Sequence, residues 1–412
     1  MSNLSHNNDF ELANFNDDIS NFNLYLFYIF IFLFSFVTPF LSFICCTFLV
    51  VYTNDYKFLK TIPISLTLFF IVINFNRDFF HIGNDLAWYY SYFKNFADYQ
   101  LGFTSAFEDD LANISLKPTE PFYHLLVYIS SKLTNGYYPF YIFWVHCFIY
   151  LIPTFVIIQI CKIERVSVLI CFSLVLFQML VFYDFGNAYN LIRQQVASSF
   201  IVLSFYFMYI KKPKLCFLFA VVSVLTHNST VLIVAIIFLF CLYNLNYISY
   251  KLVFLFTSIL SFIYVLAYFS LSGNYEELED QSRGAIVKLI DFSLFTWSAI
   301  VVFLYDSKHR NIYRFLLLFF VALLFSHASL FLPLRFLTFY DSFKWLVYFI
   351  LLNFISSKLS AYRYSDFFIF IVSFALSFLY FNLKLTYTSY SYYGKFMDFV
   401  FDSPAFYLGI NL

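Results

Sequence analysis

The sequence predicts an all-α, polytopic integral membrane protein with about twelve transmembrane helices and one large extracytoplasmic loop. Three observations lead there. Of 412 residues, 62% are hydrophobic and only 12% charged, with a mean hydropathy of +0.77. A soluble domain carries roughly 25% charged residues, so the excess apolar surface, including 64 Phe and 36 Tyr, must face lipid. Low Gly and Pro counts, 8 and 9, favour helices over a barrel of short strands and turns. This excludes a cytosolic enzyme, a disordered chain and a disulfide scaffold. A net charge of zero offers no sign of a nucleic-acid partner.

The apolar runs place spans at about 24–52, 58–75, 138–161, 166–183, 193–210, 252–272, 286–305, 312–330, 338–357 and 365–382. The stretch 215–243 is long for one helix, and Thr226-His227-Asn228-Ser229-Thr230 interrupts it. Charge decides its path. Cytoplasmic loops are enriched in Lys and Arg, which marks Lys57/Lys60, Lys162/Arg165, Lys211/Lys212/Lys214, Lys308/Arg310/Arg314 and Lys358/Arg363 as inside. The acidic connection with Glu276, Glu277, Glu279 and Asp280 reads as outside. For both to hold, 215–243 must be a helical hairpin with His227 near its apex, and both termini lie outside. The N-terminus, with Asp9, Glu11, Asp17 and Asp18 and no basic residue before the first span, is not expected to be a signal peptide. The chain is then one membrane domain, 1–412. Its one large insertion, 76–137, carries two segments, Leu86–Phe103 and Pro121–Leu133, suited to interfacial helices. The seven cysteines sit in or beside apolar runs and offer no metal spacing.

Ionisable groups near hydrocarbon are costly and are functional candidates by default. They gather on the extracytoplasmic side. Asn76-Arg77-Asp78 is followed by His81 and Gly83-Asn84-Asp85. Glu120 precedes Pro121 at a helix start, where it is either a plain cap or a catalytic acid. Asn187, Asn190 and Gln194 fall on one helical stripe with Arg193 beside them. His227 is either a structural histidine bonding a backbone carbonyl or a base. Arg335 precedes Tyr340-Asp341. Together Arg77, Arg193 and Arg335 put three guanidinium forks, well matched to phosphate oxygens, at one membrane face.

The order Arg77, Gly83-Asn84-Asp85, Glu120-Pro121, Asn190-Leu-Ile-Arg193-Gln194-Gln195-Val-Ala197, a Lys-rich loop, then His227-Asn228-Ser229 resembles the EpsG family. These are Wzy-like polymerases of exopolysaccharide, capsule and O-antigen. The usual Gly-Thr-Asp-Tyr tract is here Gly83-Asn84-Asp85-Leu86, with Tyr89 and Tyr90 close by. The resemblance covers about 70–245, with weaker agreement at Arg335–Tyr340. It implies transfer of a growing chain from its undecaprenyl pyrophosphate to a hydroxyl of the next lipid-linked repeat unit, at the outer face of the bacterial cytoplasmic membrane. No metal, cofactor or nucleic acid is implied. The expected partners are the undecaprenyl-pyrophosphate-linked oligosaccharide and membrane lipid, with a chain-length regulator and a flippase as candidate protein partners. His227, Asp85 and Glu120 are the candidate catalytic residues. Arg77, Asn190, Arg193, Gln194, Arg335 and Tyr340 are the candidate substrate-binding residues.

Two other readings remain open from sequence. A metal-dependent GT-C-type lipid-phosphosugar glycosyltransferase would use an acidic pair such as Asp109-Asp110 in the first external loop. A lipid-linked oligosaccharide flippase or transporter would use interrupted helices such as 215–243, although it would also place cations midway along its spans.

Overall fold

The computed structural model describes residues 25–75, 86–98, 102–105, 120–182, 192–271, 285–305, 309–326, 339–362, 364–387 and 399–407. Among these residues there are helices and turns and no strand. The chain begins with α1 (Tyr25–Val37), α2 (Pro39–Thr53) and α3 (Tyr56–Phe75). Helices α4 (Leu86–Asp98) and α5 (Pro121–Thr134) belong to the insertion. The bundle continues with α6 (Tyr138–Ile163), α7 (Val168–Phe182) and α8 (Ile192–Tyr209). Next come α9 (Pro213–Thr226), α10 (Val231–Asn244), α11 (Tyr250–Leu271) and α12 (Ala285–Leu304). Helices α13 (Arg310–Ser326), α14 (Trp345–Leu359) and α15 (Ser365–Tyr387) complete it. By length and composition α3, α6 and α15 can each cross a membrane, and several of the others are shorter apolar helices.

One expected span is in fact two helices. The run 24–52 breaks at Thr38, whose extended φ of −141° ends α1, and Pro39 starts α2. Proline has no N–H to continue a helix but fits its first turn. The chain folds back there: the Phe27 ring lies 5.3 Å from Phe58, and the Tyr28 hydroxyl donates to the Lys57 carbonyl at 2.6 Å. A straight helix would hold those residues about 40 Å apart. Ser35, Ser42 and Ser65 close the fold with mutual hydroxyl contacts of 2.7–3.2 Å, and all three are buried. Small hydroxyl residues let helices approach closely in lipid while keeping their polar groups satisfied. The first turns of α1 therefore lie beside Lys57 and Phe58, at the end of the bundle that carries the basic loops.

The interruption at 226–230 does turn the chain back. Thr226 ends α9, His227 is extended (φ −157°, ψ 117°), and a single 3₁₀ turn, Asn228–Thr230, leads into α10. The thiols of Cys216 and Cys241, near the two far ends, lie against each other, which requires the helices to be antiparallel.

These folds sort the polar residues. At one end of the bundle Tyr56 donates to the Val166 carbonyl, Tyr209 to Glu164, and Arg314 sits over Tyr243 and Tyr250. The same end brings Lys358 over Tyr305. The basic short loops thus converge. At the other end Tyr137 donates to the Tyr407 carbonyl and the Phe75 ring stacks on Tyr407 at 4.9 Å. Helix α8 runs between the ends, so Arg193 and Tyr209 on it are separated by about 24 Å.

The insertion helices pack against the bundle. Phe93 and Phe96 of α4 and Tyr123 and Val127 of α5 are buried in the common core. Ser131 donates to the Phe93 carbonyl, and Gly136, with φ +71°, turns the chain into α6. A Cβ at Gly136 would meet Ala97 at 3.0 Å, so the closeness of the α4 helix requires glycine there.

Candidate functional site

Glu120 immediately precedes α5, where a carboxylate is expected to cap the helix. It makes no side-chain cap hydrogen bond. Its carboxylate, fully buried, reaches across the bundle instead. Oε2 accepts from Arg193 Nη1 at 2.5 Å, and Oε1 lies 2.6 Å from His227 Nδ1. The Asn228 backbone N–H also donates to Oε1, at 3.5 Å. One carboxylate thus joins the start of α8 to the apex of the α9–α10 hairpin.

Local sequence explains why each group arrives. The extended His227 leaves its ring directed out of the helical hairpin, while Thr230 donates to the His227 carbonyl that the broken helix frees. Small residues Ala197, Ser198 and Ser199 line the buried side of α8, letting α9 and α6 pack closely. Ser199 donates to the Phe148 carbonyl within a π-helical segment, Cys147–Leu151, of α6. Such segments leave backbone carbonyls open to side-chain partners.

Tyr89, on α4, supports Arg193 from the other side. Its hydroxyl accepts from Arg193 Nε at 3.0 Å, and its ring centroid lies 5.9 Å from the guanidinium carbon. The Tyr89 ring meets Tyr123 edge-on at 6.0 Å, and the Tyr123 and Tyr141 hydroxyls share a 2.5 Å hydrogen bond. Burial, with Tyr141 and Tyr89 nearby, pushes the Tyr123 hydroxyl well above the usual phenol range, only partly offset by Arg193. It therefore remains a neutral hydroxyl.

The chemistry open to this arrangement follows from exposure and hydrogen-bond order. Glu120 has no exposed surface, whereas the Arg193 and His227 side chains are 23% and 8% exposed. A carboxylate at Nδ1 favours the tautomer that carries its proton there and leaves Nε2 as the acceptor. Glu120 is thus placed to orient groups rather than to meet a substrate itself.

Of the residues expected from sequence, Glu120, Arg193 and His227 come together. Gln194, next to Arg193, is buried. Tyr340 is buried in a second polar group with Asp341 and Lys344. There Gln178, in the π-helical segment Phe177–Phe182, donates to the Asp341 carbonyl at 3.3 Å, and Lys344 lies over the Phe182 ring at 5.5 Å. Arg77, Asp85, Asn190 and Arg335 lie outside the described residues, as do Asp109 and Asp110. Sequence reasoning missed Lys344, a cation buried amid an apolar run. It also gave Tyr89 no role beyond standing near the altered Gly-Asn-Asp tract.

No curated protein and no solved structure matches this chain. A family model, that of the EpsG family, matches residues 62–393. That span holds every residue of the Glu120 cluster and most of the chain, and the chain belongs to the EpsG family.

Proposed function

We propose that this chain polymerises undecaprenyl-pyrophosphate-linked oligosaccharide units at the outer face of the bacterial cytoplasmic membrane. Membership of the family points to a polymerase-like protein of polysaccharide biosynthesis in a membrane. The reaction, substrate and sidedness are our reading. The observation that carries it is the single buried carboxylate of Glu120 holding both an imidazole and a guanidinium.

In this reading the hydroxyl of the incoming unit attacks the anomeric carbon of the growing chain. The bond from that carbon to the pyrophosphate oxygen breaks, and undecaprenyl pyrophosphate leaves with the electron pair. His227 Nε2 takes the hydroxyl proton, a step that general bases accelerate by about 10²–10⁴-fold. Glu120 fixes the imidazole and stabilises the imidazolium that forms, the role of a carboxylate behind a catalytic histidine. Arg193, steered by Glu120 and Tyr89, supplies positive charge for the departing pyrophosphate. Arg77 and Arg335 are proposed to share that task, and Asn190, Gln194 and Tyr340 to position sugars. Asp85 is the alternative proton acceptor.

The test compares wild type with His227→Gln, which keeps a hydrogen bond but is a far weaker base. Both are purified, matched for thermal stability, and assayed on lipid-linked repeat units with a chelator present. Wild-type activity that persists, alongside a nearly inactive Gln form, supports the proposal. A fully active Gln form makes His227 structural. Loss of wild-type activity in chelator favours the metal-dependent GT-C reading.

A further inference from the structure

The end of the bundle opposite Glu120 holds a cavity of about 350 Å³ formed where the 163–166 turn, the end of α12, His309 and the last turns of α14 meet. Its lining includes Arg165, Lys358, His309, Glu164, Asn353 and Tyr305. The acid among them is engaged: the Tyr209 hydroxyl donates to Glu164, and His309 Nε2 lies 3.8 Å from it. Arg165 and Lys358 have no carboxylate within ion-pair distance among the described residues.

Lys358 is nonetheless held over two aromatic rings. Lys358 Nζ sits 5.2 Å from the Tyr305 ring centroid and 5.5 Å from that of Phe354. Arg165 occupies a left-handed backbone position, φ +56°, in a turn where Val166 N–H donates to the Cys161 carbonyl. Glycine is the residue that adopts that conformation without cost. Arginine stands there instead, and it is one of the residues that line the cavity. A planar fork beside a point cation matches phosphate oxygens. Exposed Phe303, Leu304 and Ile355 stand close in the chain to the lining residues Tyr305 and Phe354 and offer apolar surface suited to an acyl chain.

We propose that this cavity binds a phosphate-bearing anion, presented as the headgroup of an anionic membrane lipid on the face that carries the basic loops. The site stands independently of the polymerase reading, because it lies at the far end of α8 from Arg193.

Native mass spectrometry of the full chain in neutral detergent tests it, titrating phosphatidylglycerol, phosphatidylcholine and inorganic phosphate separately. The expected result is preferential retention of phosphatidylglycerol, weakened about tenfold in Arg165→Gln/Lys358→Gln through loss of two charge-assisted contacts. The control Lys211→Gln/Lys212→Gln removes two exposed cations outside the cavity lining and should leave binding unchanged. Inorganic phosphate displacing the lipid at millimolar concentration would assign the site to free phosphate and keep the cavity. Equal retention of the two lipids, or an equal loss in the control pair, overturns the proposal. Unchanged melting of lipid-free protein separates lost binding from lost folding.

Discussion

Glu120 and His227 stand 107 positions apart and share a 2.6 Å hydrogen bond at the point where the α9–α10 hairpin turns. The bond explains why an ionisable pair survives in so apolar a chain. Each partner satisfies the other, and Arg193 balances the charge. A buried carboxylate without such partners would be several kcal/mol less stable, on the order of 3–5 when one partner is removed.

Replacing Glu120 with Gln is expected to abolish polymer and to lower thermal stability. The loss of stability should be roughly 2–3 kcal/mol, less than for a fully buried pair because Arg193 is partly exposed. Adding Arg193→Met removes the stranded charge and should restore most of the stability but none of the activity. Melting curves in detergent and a polymerisation assay on both variants check this. Restored activity in the double variant would make the pair structural.

Arg193→Lys keeps the charge and loses the fork that spans Glu120 and Tyr89. Polymer yield in cells should fall at least tenfold while the protein inserts in normal amount, since a lysine cannot make both contacts. Polymer of normal amount and length would remove Arg193 from the reaction.

Tyr89→Phe deletes only the hydroxyl that accepts from Arg193 Nε and keeps the ring. Loss of that contact leaves the guanidinium less firmly oriented, so kcat should drop about tenfold, and stability should fall by no more than the roughly 1.5–3 kcal/mol that a hydrogen bond to a charged group contributes. An unchanged kcat would show that Glu120 alone positions the guanidinium.

The hairpin at Thr38-Pro39 has a topological consequence. In a Cys-free background, cysteine at position 25 should label from the same side as cysteine at 212, and cysteine at 277 only from the other. Matching accessibility for 25 and 277 would mean that α1 and α2 form one span, and matching accessibility for 212 and 277 would dissolve the α9–α10 hairpin.

The sequence by itself determined the helical class and the gathering of basic loops at one end, because hydropathy and charge are set residue by residue. It also singled out Glu120, Arg193 and His227, since polar groups are conspicuous in apolar surroundings. The turn at His227 was legible because opposed loop charges demanded it. The turn at Thr38-Pro39 was not: an unbroken apolar run looks the same whether a helix passes through it or folds back. Only Ser35, Ser42 and Ser65 meeting across it decided the matter. Tertiary structure likewise chose between capping and ion pairing for Glu120. Its partners lie 73 and 107 residues away, and no local pattern encodes a contact made by packing three distant helices together. For the same reason Tyr89 became a partner of Arg193 only once the insertion helices sank into the bundle, where burying Phe93 and Tyr123 brought α4 and α5 against the start of α8.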